Sequence, residues 1–226
     1  MIKYITIAGT FGSHHELDWY APTSYFSHFL CIQGCEQLET NPLKRYMWST
    51  VLDGVDKKND TWDAAGRALA YYIAPPLLGK SLLNAEDTYI IAHSHGGNVV
   101  AYACAEYGLK INGLITVGTP IRKDMYDVYK AASGNIGRHL HLYAGWRDYW
   151  QAFGSLFDGR FGLHREHPFA NLNAKVPGGD HGSILRDPEF FPLWLDCGWL
   201  GFWRGSLVVP QIKQPIDHSE PNYWLT

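Results

Sequence analysis

Short apolar runs alternate along the chain with segments typical of helices. The runs typical of strands lie at residues 2–8, 88–91, 114–117, 139–144 and 172–176. Residues 22–33, 63–72 and 98–103 predict helices, and a weaker run at residues 46–51 is interpreted as a further strand. Strands separated by helices favour an α/β fold with a mostly parallel central sheet that is flanked by helices on both faces.

Capping and breaking residues give the expected ends of these helices. Thr23 or Ser24 is the expected N-cap of the first helix, and residues 59–61 supply cap candidates for the second. Pro75 and Pro76 are expected to stop the second helix. Cys31 and Cys35 are four residues apart, a spacing compatible with one helix face, and we expect them to be reduced.

Residues 92–97, with the sequence AHSHGG, join a predicted strand directly to a predicted helix. A serine at such a turn adopts a strained backbone conformation and needs small neighbours two positions away on either side, here Ala92 and Gly96. The backbone N–H of His95 then lies at a helix N-terminus, where developing negative charge is stabilised. The pattern predicts that Ser94 is a nucleophile.

A nucleophilic serine needs a base, and the base needs an orienting acid. Because Asp148 follows the end of a predicted strand downstream of Ser94, it is the preferred acid, with Asp124 and Asp127 as alternatives. His181 is the preferred base, since it lies in a glycine-containing loop after the last predicted strand. His164 and His167 are the alternative bases.

Length and composition suit one domain, since the chain has 226 residues, of which 46% are hydrophobic and 18% charged. We expect residues 1–204 to form this domain, residues 146–169 to be an aromatic-rich, cap-like insertion, and residues 205–226 to be an extended tail. A net charge of −3 without a basic cluster argues against a nucleic-acid partner. No apolar run approaches the roughly 20 residues of a membrane span.

The N-terminus has no cationic segment followed by an apolar core, which predicts a cytoplasmic location. Histidines at irregular spacing do not predict a metal site. Residues 74–81 match a phosphate-binding loop only loosely and follow a helix instead of a strand, so we expect no nucleotide. The protein is therefore expected to need neither a metal nor another cofactor, and the sequence leaves its oligomeric state open.

These features resemble the α/β-hydrolase superfamily, especially its smaller lipases and esterases. The resemblance extends from Ile5 to His181 and depends on GTFG at 9–12, AHSHGG at 92–97, ITVGTP at 115–120, Asp148 and His181. It implies a compact α/β-hydrolase fold and an oxyanion hole formed by the N–H groups of Thr10 and His95. Phe11 is an alternative donor or a pocket wall. Such lipases usually carry His-Gly before the oxyanion residue, whereas this chain has Ala8 followed by Gly9.

The implied activity is hydrolysis of carboxylic esters through an acyl-enzyme, with Ser94, His181 and Asp148 as the catalytic triad. Aromatic residues in the insertion predict an apolar acyl or aryl pocket, to which we assign Phe11, His93, Trp146, Tyr149 and Trp150. The expected partner is a small-molecule ester. A thioesterase, an amidase or an acyltransferase with the same triad, or a non-catalytic binding protein on this scaffold, are the alternatives.

Overall fold

A computed structural model describes residues 2–9, 19, 21–40, 58–74, 88–145, 148–149 and 166–191. Within them, six parallel strands form one sheet in the order β2-β1-β3-β4-β5-β6. The strands are β1 (Ile2–Ile7), β2 (Cys35–Thr40), β3 (Thr88–His93), β4 (Ile111–Val117), β5 (Ile136–Ala144) and β6 (Leu172–Val176). The helices are α1 (Tyr25–Ile32), α2 (Lys58–Ile73), α3 (Gly96–Ala105), α4 (Tyr126–Ser133) and α5 (Ser183–Arg186), with 3₁₀ turns at Lys123–Met125 and Pro188–Phe190.

The two faces of the sheet bury two separate hydrophobic clusters. Successive residues along a strand point to opposite faces, so Ile90 packs into one cluster and Ile91 into the other. Helices α2, α3 and α4 cover the first face through residues such as Leu69 and Val99. Helices α1 and α5 cover the second face. This arrangement confirms the predicted α/β class with helices on both faces.

Strand β2 was not predicted from the sequence. It lies at the edge of the described sheet and pairs only with β1, so its polar sequence CEQLET lacks the apolar run of a central strand. Cys35 begins this strand and is buried, whereas Cys31 lies in α1 and is exposed. The two cysteines therefore do not share a helix face, although their spacing is compatible with one. The strand predicted at residues 46–51 lies outside the described residues.

The helix ends differ in part from the predicted ones. The side chain of Ser24 caps α1 by accepting the N–H of Ser27, as expected for one of the two candidates. Helix α2 begins at Lys58, so residues 59–61 belong to its first turn and do not precede it. Helix α4 was not predicted. The predicted tail at residues 205–226 and most of the insertion lie outside the described residues.

All six strands are parallel, so their carboxyl ends meet at one edge of the sheet. Gly9 follows β1, Ser94 follows β3, Gly118 follows β4, Asp148 follows β5 and His181 follows β6. Residues far apart in the sequence are thereby collected at one edge. No helix among the described residues is long and apolar enough to cross a membrane.

Candidate active site

Ser94 occupies the tight turn between β3 and α3. Its φ of 52° lies in the left-handed region, which a residue with a side chain rarely adopts and which persists only where the surroundings enforce it. The N–H of Ser94 donates to the carbonyl of Val117 at 2.8 Å, and its own carbonyl accepts the N–H of Gly97 at 3.1 Å. A Cβ at Gly96 would lie 2.7 Å from the carbonyl oxygen of Ala8, so only glycine fits there. Ser94 therefore lies in a strained turn that joins a strand directly to a helix, as the sequence predicted.

Asp148 and His181 form a buried pair at the same edge. The Nδ1 atom of His181 lies 2.9 Å from Oδ2 of Asp148. The Asp148 side chain is fully buried, and that of His181 is 16% exposed. A backbone hydrogen bond of 3.0 Å from the N–H of Asp148 to the carbonyl of Gly145 forms the turn that holds the acid. Because a carboxylate accepts a hydrogen bond from the N–H at Nδ1, Nε2 of the neutral His181 ring carries the lone pair.

The alternative acids and bases occupy other surroundings. Asp124 binds the guanidinium of Arg122, and Asp127 is exposed in the first turn of α4. His167 is buried against the rings of Tyr129 and His139, at centroid distances of 4.8 and 4.4 Å. His164 lies outside the described residues. Among the described candidates, the structure pairs Asp148 with His181.

Hydrogen bonds shape the loop that carries His181. The Oδ1 atom of Asp180 accepts the N–H groups of Gly182 and Ser183 at 2.9 and 2.8 Å, and its own N–H donates to Oγ of Ser183. Burial raises the pKa of Asp180, but these donors outweigh burial and leave that pKa lowered. His93 adds a link from β3, because its Nε2 lies 2.7 Å from the backbone oxygen of His181.

No hydrogen bond joins Oγ of Ser94 to the imidazole of His181 in the described structure. Catalytic hydrogen bonds of this kind are often long in unliganded enzymes and shorten when substrate binds. The ring of His93, the residue before Ser94, lies 4.8 Å from the ring of His181 by centroid. His181 therefore lies against the residue that directly precedes Ser94.

Backbone groups approach Ser94 from the end of β1. A Cβ at Gly9 would lie 2.6 Å from Cβ of Ser94 and 3.3 Å from its Oγ, so the chain passes directly beside the serine side chain. Thr10 and Phe11, the predicted oxyanion donor and its alternative, follow Gly9 but lie outside the described residues. The oxyanion roles of Thr10 and Phe11 therefore stay predictions.

The side chain of His95, the other predicted oxyanion residue, contacts Trp62 of α2 and Asn98 of α3. Its ring stacks on Trp62 of α2 at 4.6 Å, and its Nδ1 accepts from Nδ2 of Asn98 at 3.2 Å. Asn98 is fully buried and accepts the hydroxyl of Tyr129 at 2.9 Å. The guanidinium of Arg122 lies 5.1 Å from the ring centre of Trp62. Sequence reasoning missed these contacts, because Asn98 and Trp62 carry no motif that marks them.

The predicted substrate-pocket residues differ in their exposure to solvent. His93 is 7% exposed, and its ring lies between the strand end and the loop of His181. Tyr149 is 73% exposed, more than a ring lining a closed pocket would be. Trp146 and Trp150 lie outside the described residues.

A group of buried histidines lies apart from these residues. The hydroxyl of Thr116 is 2.8 Å from Nε2 of His139 and 2.8 Å from Nδ1 of His141. Desolvation lowers the pKa of His167 to about 3 and places that of His139 well below its usual value, so both are neutral at physiological pH. In the described part of the chain, no three metal-ligating side chains are arranged to hold an ion.

Comparison with known proteins shows similarity in fold but not in sequence. No protein-family model matches the chain, and no curated protein matches it. The structure of a carboxylesterase from the thaumarchaeon Nitrososphaera gargenis is similar, with a TM-score of 0.50, 14% identity, and coverage of 91% of this chain and 92% of that one.

Two further solved structures show comparable similarity. A predicted CIB-like hydrolase from Thermoplasma acidophilum has a TM-score of 0.49 at 14% identity and covers 86% of this chain and 84% of that one. A methylesterase from Arabidopsis has a TM-score of 0.49 at 13% identity and covers 88% of this chain and 100% of that one. With its parallel six-stranded sheet and its helices on both faces, the chain has the α/β-hydrolase fold.

Proposed function

We propose that the protein is a cofactor-independent serine hydrolase that cleaves carboxylic esters through an acyl-enzyme. The observation that carries this proposal is the buried pair between Asp148 and His181, 2.9 Å apart, beside a serine whose φ is 52°. A buried carboxylate that binds an imidazole, next to a strained serine, supports acyl transfer.

In this mechanism His181 takes the hydroxyl proton of Ser94 through Nε2 while Oγ attacks the ester carbonyl. The bond between Oγ and the carbonyl carbon forms, and the carbonyl oxygen becomes an oxyanion that accepts the backbone N–H groups of His95 and Thr10. His181 then gives its proton to the alkoxide leaving group as the ester bond breaks. Water, activated by the same imidazole, releases the acid and restores Ser94. Asp148 stabilises the imidazolium in both halves of the reaction.

We propose an ester with an apolar acyl or aryl group as the substrate. The aromatic content of residues 146–169, the segment after β5 that includes Asp148, supports this class. The fold shared with the Nitrososphaera carboxylesterase is in keeping with it.

A chain-length series of p-nitrophenyl esters tests the proposal. The native protein should hydrolyse these esters, and Ser94→Ala should lower kcat by at least about 10³-fold, because removal of a triad nucleophile leaves only binding and the oxyanion hole. Ser133→Ala is the matched control, since the Ser133 hydroxyl bonds only the carbonyl of Lys130 at the surface. Equal rates for the native protein and Ser94→Ala would reject the proposal. A thioester and an anilide in the same panel separate an esterase from a thioesterase or an amidase.

A further inference from the structure

We infer that His93 is a positioning residue that holds the backbone of the base, His181, at a fixed position relative to the nucleophile, Ser94. The inference rests on the proposed function and adds to it a residue that was expected to line the substrate pocket.

The contact between the two residues has a defined direction. The Nε2 atom of His93 is 2.7 Å from the carbonyl oxygen of His181. A carbonyl oxygen accepts hydrogen bonds and cannot donate one, so Nε2 of His93 carries the hydrogen. The rings also lie against each other, with centroids 4.8 Å apart and an interplanar angle of 53°. His93 therefore contacts both the backbone and the ring of His181.

The ring of His93 is itself well fixed. It is the last residue of β3, a strand paired on both sides, and it is 7% exposed. The ring of Trp19 packs against it edge-on at 6.1 Å. Because His93 directly precedes Ser94, one rigid strand end carries both the nucleophile and the donor that binds the base loop.

Among the described residues, the hydrogen bonds of Asp180 and of the His181 ring do not connect this loop to β3. Asp180 bonds Gly182 and Ser183, and these contacts shape the turn locally. Asp148 binds the ring from the end of β5, two strands away from β3 in the sheet. The hydrogen bond from His93 joins the base directly to the strand of Ser94. It thus fixes the separation between Ser94 and His181, to which proton transfer is sensitive, since a displacement of about 1 Å can cost about 100-fold in rate.

A matched pair of variants tests this role. Gln and Met have similar length and shape, but Gln keeps an N–H donor at about the position of Nε2 and Met has none. We expect His93→Met to lower kcat by about 10- to 100-fold with KM changed less than about threefold. His93→Gln should restore kcat to within about threefold of the native value. Thermal unfolding followed by circular dichroism reports whether both variants fold.

The outcomes separate this inference from the proposed function. If the native protein hydrolyses no ester, the proposed function fails. If the native protein is active, and both variants either match it or are equally impaired, the donor has no positioning role and the inference is wrong.

The native protein provides a second test that needs no folded variant. Ring ¹⁵N NMR at pH 8 should show His93 with its hydrogen on Nε2. A hydrogen on Nδ1 instead would overturn the inference.

Discussion

At the scale of single residues, the proposed chemistry depends on how Asp148 fixes the proton of one imidazole. The carboxylate is fully buried and accepts from Nδ1 of His181, so the neutral imidazole keeps a free lone pair on Nε2. The sequence predicted both residues from the chain order of serine, acid and histidine. It did not predict His93 or Asp180 as partners of the base, because their contacts arise where β3 and the loop after β6 meet in space.

Replacing the acid by its amide tests this assignment. Asp148→Asn should lower kcat by about 10⁴-fold, because an amide that donates to Nδ1 stabilises the wrong tautomer of His181. Steady-state kinetics on a p-nitrophenyl ester gives kcat. Asp127→Asn is the matched control, since Asp127 is exposed on α4 and should leave kcat unchanged. A similar kcat for both variants would mean that Asp148 does not orient the base.

At the scale of elements, the start of helix α3 carries His95, the proposed oxyanion donor, and contacts with neighbouring helices hold it. The ring of His95 stacks on Trp62 of α2, and Asn98 links that ring to Tyr129 of α4. These contacts hold His95 at the N-cap of α3. The position of this proposed donor therefore depends on contacts with α2 and α4.

Two variants separate this effect from general stability. Asn98→Ala removes the bond to His95 and should lower the free energy of unfolding by about 1–3 kcal/mol, since it leaves buried partners unsatisfied. It should also lower kcat by about 10-fold, part of the roughly 2.7–4 kcal/mol that a whole oxyanion donor contributes.

Tyr129→Phe removes the hydroxyl that Asn98 accepts but keeps the bond from Asn98 to His95. It leaves Oδ1 of the fully buried Asn98 without this donor, so it should also cost about 1–3 kcal/mol of stability, but it should leave kcat within about threefold of the native value. Urea unfolding and steady-state kinetics measure both quantities. A loss of kcat in Tyr129→Phe as large as that in Asn98→Ala would contradict this division.

The elements that the sequence predicted well are those with a buried position in the sheet. Strand β3, with the run YIIAH, and strand β4, with LITV, have neighbours on both sides and helices on both faces, so their apolar runs are long enough to recognise. Edge strand β2 instead carries polar groups such as Gln37, whose Oε1 accepts from Ser27 of α1. Helix α4 is amphipathic and short, with eight residues, so its few apolar positions do not form a pattern long enough to predict a helix.

At the scale of the whole molecule, one face of the sheet buries titratable groups along with its apolar core. His139, His141 and His167 lie together around Thr116, in positions that no sequence motif marks. Desolvation holds the pKa of His167 at about 3, so this residue stays uncharged in the folded protein. In the unfolded chain the same residue has an ordinary pKa of about 6.5.

This difference predicts acid sensitivity. Between the folded and the unfolded pKa, the unfolded chain binds more protons, so the free energy of unfolding falls as the pH drops below about 6.5 and continues to fall toward about 3. Between pH 6.5 and pH 5, His167 should account for a loss of about 2 kcal/mol. His139 should add to this loss in the same direction, since desolvation also lowers its pKa.

The variant His167→Asn removes the titration but keeps an acceptor near the position of Nδ1, which accepts the N–H of Phe169 at 3.2 Å. Urea unfolding at pH 8, 6.5 and 5 should show a smaller loss of stability for this variant than for the native protein. The same pH dependence in both proteins would show that His167 is not protonated on unfolding.

The central claim is that Ser94 is a nucleophile activated by His181, and labelling with a fluorophosphonate tests it most directly. Peptide mass spectrometry of the labelled native protein should show one adduct, on Ser94. The second-order rate of labelling should fall by about 10²- to 10⁴-fold in His181→Gln, because the general base is gone. An unlabelled native protein, an adduct elsewhere, or an unchanged rate in His181→Gln would contradict the account.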